Sequence, residues 1–182
     1  MTYYGSQELA RAFRTVRGNT IQIAEEIPEE KYGFQPAPGT RTVAQTLVHI
    51  ALMSRVQEKI HFEDRLTSLA GFDFFGMMNS LAAEAQKPRT KAEVLDLLRT
   101  EGDRYARLLE TCTEEFLAES VQYPEGMTPP AKSRFEMLIS PKEHEMHHRG
   151  QLMLVERMLG IAPHLTRHMQ ERIAAMAAAA QK

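Results

Sequence analysis

The stretch from Ser140 to Leu159, SPKEHEMHHRGQLMLVERML, places three of the chain's seven histidines within five positions. A helix advances about 100° per residue, so His144 and His148 project about 40° apart on one face and one turn apart along the axis. Two imidazoles at that spacing can grip one metal ion. The apolar residues downstream say which histidines face inward. Measured from His144, Val155 falls at about 20°, Leu159 at about 60° and Leu152 at about 80°. His148, at about 40°, is central on that stripe, whereas His147, at about −60°, sits on its shoulder. The ligand pair is therefore His144 with His148. Two imidazoles leave a zinc-like ion short of protein ligands, so the rest of the chain must supply a third.

Composition narrows what can supply it. The single cysteine, Cys112, excludes an intrachain disulfide framework and any cysteine-rich zinc site, which leaves imidazole and carboxylate as donors. A chain of 182 residues with 43% hydrophobic content is long enough for one sizeable core, giving one domain over 1–182. A formal charge of −2, with both signs interspersed, gives no footprint for nucleic acid or an anionic membrane. The N-terminal MTYYGSQELARAFR has no apolar signal core, and no run approaches a membrane span. A cytoplasmic protein is expected.

The periodicity is helical throughout. Leu9, Phe13, Val16, Thr20, Ile23 and Ile27 recur at steps of three and four behind Ser6 as a cap, predicting a first helix over 7–27. Pro28 and then YGFQPAPGTRT end it in a long loop, which the aromatics Tyr32 and Phe34 should pin to the bundle. Thr40 or Thr42 then caps a second helix in which His49, Met53, Val56 and Ile60 share a face. Residues 64–89 read as a connection with a short helical turn near 74–85. Thr90 and Glu93 form a capping box for a third helix. The proline-rich segment after Glu115 reads as a crossover connection. Ser133 with Glu136 then signals a start, and Ser140 with Pro141 a restart, of the histidine-bearing helix, which Gly160 and Pro163 terminate. Thr166 opens a last helical segment. The expected fold is all-α: a four-helix bundle with long crossover connections and an additional C-terminal helix.

Within this plan His49 is the one other histidine on the inward face of a long helix. Taken alone it reads as a core residue; set against the pair on the later helix it becomes the third ligand. His61, beside Glu63 and Asp64, reads as solvated. His164 and His168, next to Pro163, read as an exposed surface pair. Cys112 closes an apolar stripe and reads as a small core residue. Gln151 and Arg149 flank the ligand pair, and either could meet an anionic cosubstrate or serve a structural role. Gly150 is best explained by close helix packing.

Two segments, YGFQPAPGTRTVAQTLVHIA from Tyr32 to Ala51 and HEMHHRGQL from His144 to Leu152, resemble the signature regions of the DinB-like (DinB/YfiT) family of metal-dependent enzymes. The resemblance spans nearly the full chain. It implies a four-helix bundle holding a divalent metal, often zinc or nickel, on one histidine of the second helix and two at i, i+4 on a later one. Position by position these are His49, His144 and His148; His147 is additional. It also implies homodimers. Some relatives transfer thiol cofactors such as bacillithiol, mycothiol or glutathione, so a small-molecule thiol and an electrophilic substrate are the implied partners. A metal-binding or stress-response protein without turnover is the alternative reading.

A rival comes from the string His144-Glu145-Met146-His147-His148, which spells the H-E-x-x-H of zinc peptidases. That chemistry needs Glu145 beside the ion and a strand edge to hold a peptide. The extended metzincin pattern fails, since Gln151 and Leu154 stand where a glycine and a histidine belong. Three neutral imidazoles leave a position open, as in a catalytic site. The softness of thiolates favours thiol transfer over hydrolysis there, with the electrophile expected from the side of the 72–85 connection. Phe72, Phe74, Phe75, Met77 and Met78 in that connection are more apolar surface than a small monomer hides, which also points to a two-fold homodimer.

Overall fold

The structure, a computed structural model, describes residues 4–180; the first three residues of the N-terminal stretch and the last two of the tail lie outside it. Helix α1 (Ser6–Glu26) buries the expected stripe of Leu9, Phe13, Val16, Thr20 and Ile23. It starts one residue early because Gly5 takes the cap position, its N–H donating to the Glu8 carboxylate at 3.1 Å. Helix α2 (Val43–Leu52) is capped by Thr42, whose hydroxyl accepts from the Gln45 N–H at 3.2 Å. The second helix is not continuous. It breaks at Met53, resumes as α3 (Ser54–Glu58) and passes through a π-turn at Lys59–Glu63.

That π-turn overturns the reading of His61 as solvated. A turn closed from i to i+5 takes in one more residue than an α-turn, so the residues within and beyond it are rotated around the axis. Ile60 and His61 are both buried as a result. The His61 ring is fully enclosed, Nδ1 accepting from the Arg134 guanidinium and Nε2 facing Gln57 Oε1, each at 2.9 Å. Burial, reinforced by the Arg134 charge, pushes its pKa down to about 4.

Helix α4 (Phe74–Ala85) is three turns long, capped by Asp73, and packs on α2. Phe72, Met77 and Met78 lie against the core, while Phe74 and Phe75 stay exposed. Helix α5 (Lys91–Glu110) carries the capping box at Thr90, and Cys112 just beyond it is buried as expected. The segment after Cys112 is more than a connection. It contains α6 (Glu114–Ala118) and an antiparallel pair, β1 (Ser120–Gln122) with β2 (Ala131–Ser133). Only Val121 of β1 is buried, an alternation too short to register as a strand pattern. Helix α7 (Arg134–Leu138) runs into α8 (Ser140–Met158), with Ile139 and not Ser140 at the junction and Pro141 in the first turn. Gly160, at φ 79°, stops α8. Helix α9 (His164–Ala179) opens behind Pro163, two residues before Thr166. This start draws His164 inward, so it is buried, contrary to the surface pair expected.

Helices α1 and α2 each pack against both α5 and α8. The two helices consecutive in the bundle thus lie across its diagonal, and the loop between them crosses one end. Tyr32 pins that loop, its hydroxyl donating to the Ala24 carbonyl at 2.7 Å. At the centre, Arg17 of α1 joins all four helices. Its Nε reaches both Glu145 oxygens of α8 at 3.0 and 3.1 Å, and its other nitrogens donate to the carbonyls of Leu98 on α5 at 2.8 Å and Ile50 on α2 at 3.3 Å. Gly102 on α5 makes room for it: a Cβ there would sit 2.8 Å from Arg17 Cγ. Gly150, expected at a close helix contact, is exposed with open space beside it.

Candidate metal centre

Helix α2 delivers His49 and helix α8 delivers His144 and His148 to one point, their potential ligand atoms all within 4.8 Å of one another. His144 Nε2 lies 3.1 Å from His49 Nε2 and 3.1 Å from His148 Nε2. Ligands about 2.0–2.1 Å from a tetrahedral ion stand about 3.3 Å apart, so these two edges are close to the size such an ion requires. One ring hydrogen cannot satisfy both contacts of His144, whereas a cation at the centre satisfies all three lone pairs. The donor set fits a divalent transition metal.

The imidazoles are held neutral, as ligands must be. Burial pushes His49 down to about 3, with the Arg41 charge next in weight and the two neighbouring rings after it. His144 falls to about 4 for the same first reason, then through His148, His147 and Arg41. His148 is lowered by burial, which the Gln151 hydrogen bond opposes. Gln151 Oε1 accepts from His148 Nδ1 at 2.7 Å, which places the ring hydrogen there and leaves Nε2 free to coordinate. The amide nitrogen of Gln151 faces His147 Nε2 at 3.2 Å. His147 is thus exposed on the shoulder, linked to His148 through one side chain and not itself in the triangle.

Glu145 points the other way. It is buried, and both of its oxygens are engaged by Arg17 in the bundle centre. A peptidase glutamate must stand beside the ion, so the H-E-x-x-H spelling here has a packing origin. The helical wheel alone does not show this, since a residue one step from His144 lies only about 60° from His148; the Arg17 contacts do.

Beside His148 a cavity of about 670 Å³ opens between the diagonal loop and α8. Pro36, Val43, Leu152 and Val155 give it apolar walls, while Arg41, Thr46 and Gln151 are polar points on it. The 72–85 segment, expected on the approach path, does not line it; a separate open depression holds Phe72 and Met77. Arg149 does not line it either, so the cation at this cavity is Arg41, which lies within the Tyr32–Ala51 segment but takes no role from the sequence alone. Its local signal is its position directly before the Thr42 cap.

A family model for the DinB superfamily matches residues 12–152. The chain belongs to that superfamily. The uncharacterized protein YjoA of Bacillus subtilis is 23% identical over 159 residues, 85% of this chain and 91% of YjoA. The crystal structure of YjoA superposes with a TM-score of 0.61 at 21% identity, covering 84% of this chain and 92% of that one. YfiT from Bacillus subtilis, described as a probable metal-dependent hydrolase with an unusual four-helix bundle topology, gives a TM-score of 0.64 at 17% identity, over 89% and 91% of the two chains. The all-α bundle expected from periodicity is the fold of these proteins.

Proposed function

We propose that this DinB-superfamily protein is a metal-dependent enzyme that joins a small-molecule thiol to an electrophile, with zinc or nickel held by His49, His144 and His148. The single observation that carries this is the triangle of neutral imidazoles, 3.1 Å between neighbouring Nε2 atoms, placed at the wall of a largely apolar cavity. When bound, such an ion lowers the pKa of a thiol or water that takes its open position. The protein's own contribution is to orient the ligands through Gln151, to exclude bulk water with the apolar walls, and to keep Glu145 away. A soft thiolate competes well against water for such a site, which favours thiol transfer. Hydrolysis is the second reading, in line with the description of YfiT. A binding protein without turnover is the third.

Metal content of the purified protein, compared with a His49→Ala, His144→Ala, His148→Ala triple variant, tests the ligands; undiminished binding in the triple variant rejects them. His147→Ala should retain metal. The reaction is tested by loading with zinc or nickel and screening low-molecular-weight thiols against a generic electrophile. Metal-dependent conjugation absent from His148→Ala supports transfer, whereas equal rates in both proteins reject it.

We further infer a homodimer. Phe75 is 79% exposed, and Met169, Ile173 and Met176 recur at helical spacing on α9 at 54%, 58% and 70%. Such surface is what subunit contacts cover. Sedimentation returning only monomer at micromolar concentration rejects this.

A further inference from the structure

The cavity beside His148 has one formally charged side chain on its wall, Arg41, and no aspartate or glutamate among the residues that line it. Arg17, Arg55, Arg104, Arg134 and Arg167, by contrast, each hold a glutamate. Arg41 makes no ion pair and no hydrogen bond among the described residues. Arg41 and His148 line the same cavity, and the Arg41 charge helps keep all three imidazoles neutral. The other source of positive potential here, the N-terminus of α2, is already occupied. The N–H groups of Val43 and Ala44 donate to the carbonyls of Phe34 and Tyr32 at 3.0 and 2.9 Å, and that of Gln45 to the Thr42 hydroxyl. The helix end thus has no free donor at these positions, and anion recognition falls to the guanidinium.

We propose that the substrate of this site is an amphiphilic organic acid, its carboxylate paired with Arg41 and its apolar body against the walls formed by Val43, Leu152 and Val155. This rests on the reading of the cavity as the substrate site and names the class of molecule it takes. Arg41 is exposed at the cavity wall, and a planar guanidinium pairs with a carboxylate through two parallel hydrogen bonds. An amide of the same shape offers one oxygen and no charge, so the site discriminates between the two.

The test uses phenylbutyrate and phenylbutyramide, titrated by calorimetry into the zinc-loaded and the metal-free protein. The acid should bind about tenfold more tightly than the amide in both metal states. Arg41→Gln should remove that preference by weakening the acid far more than the amide, and Arg41→Lys should retain part of it. Equal affinities in the wild type, no binding of either compound, or a preference that survives Arg41→Gln would overturn the proposal. A preference that needs zinc and vanishes in His148→Ala but not in Arg41→Gln would also overturn it, because the carboxylate would then be a metal ligand. Failure of the thiol-transfer reading looks different: conjugation is absent while the Arg41-dependent preference for the acid persists without metal.

Discussion

Replacing Arg17 with alanine removes a cation that touches all four bundle helices. Arg17 is 4% exposed and Glu145 1%, so the carboxylate left behind has no route to water. The carbonyls of Leu98 and Ile50 lose their donor as well. Deleting one partner of a buried pair costs about 3–5 kcal/mol, a large share of a net stability of roughly 5–15 kcal/mol. At about 2–4 °C per kcal/mol for a chain of this size, Tm should fall by roughly 6–20 °C. The companion variant, Arg17→Met with Glu145→Leu, removes both charges and replaces them with apolar volume. It should lie within about 1 kcal/mol of wild type, or above it, because the desolvation of two ions disappears together with their attraction. Urea denaturation of the metal-free proteins reads all of this without a contribution from ligand binding. A loss below about 1 kcal/mol in Arg17→Ala, or a double variant as unstable as the single, would refute the reasoning.

Gln151→Ala should weaken metal binding about 10–100-fold, since nothing then selects the Nδ1–H form of His148; competition against a chromophoric chelator measures this, and unchanged affinity would show that the amide does not orient the ring. Glu156 is fully buried with neither oxygen hydrogen-bonded among the described residues, and burial, assisted by Glu26, pushes its pKa up to about 7 from 4.5. A folded pKa above the unfolded one means the folded state holds the proton more tightly, so the penalty is absent below the unfolded value and grows as pH rises through about 7. Glu156→Gln should therefore match wild type at about pH 4 and melt higher at about pH 8; parallel Tm curves across that range would contradict the assignment.

Much of the histidine triangle could be read from the sequence because its determinants are periodic. His144, His148, Leu152 and Val155 share one helix face, and His49 shares another with Val56 and Ile60, so the wheel placed all three imidazoles inward. What the wheel could not place depended on departures from it. His61 moved inward because a π-turn carries it, and no composition cue marks an i to i+5 closure. His164 moved inward because α9 starts two residues early. Arg17 was visible in one respect, as a charged residue within the stripe of Phe13, Val16 and Thr20, but its partner at position 145 lies far along the chain. The cavity was the least legible feature. A loop without period forms one wall of it, and the position of that loop is set by tertiary contacts such as the Tyr32 hydroxyl on Ala24.

The diagonal placement of α1 and α2 bears on how the chain reaches this structure. In a simple up-and-down bundle the first two helices zip together as a local hairpin soon after they form. Here α1 packs chiefly on α5 and α8, and the whole of α2, α3 and α4 lies between α1 and the nearer of them. Closing so long a stretch of chain must precede the reward, so folding should be slow for a helical protein of this size. During synthesis, α1 with its apolar stripe must wait in the open until α5 has left the ribosome.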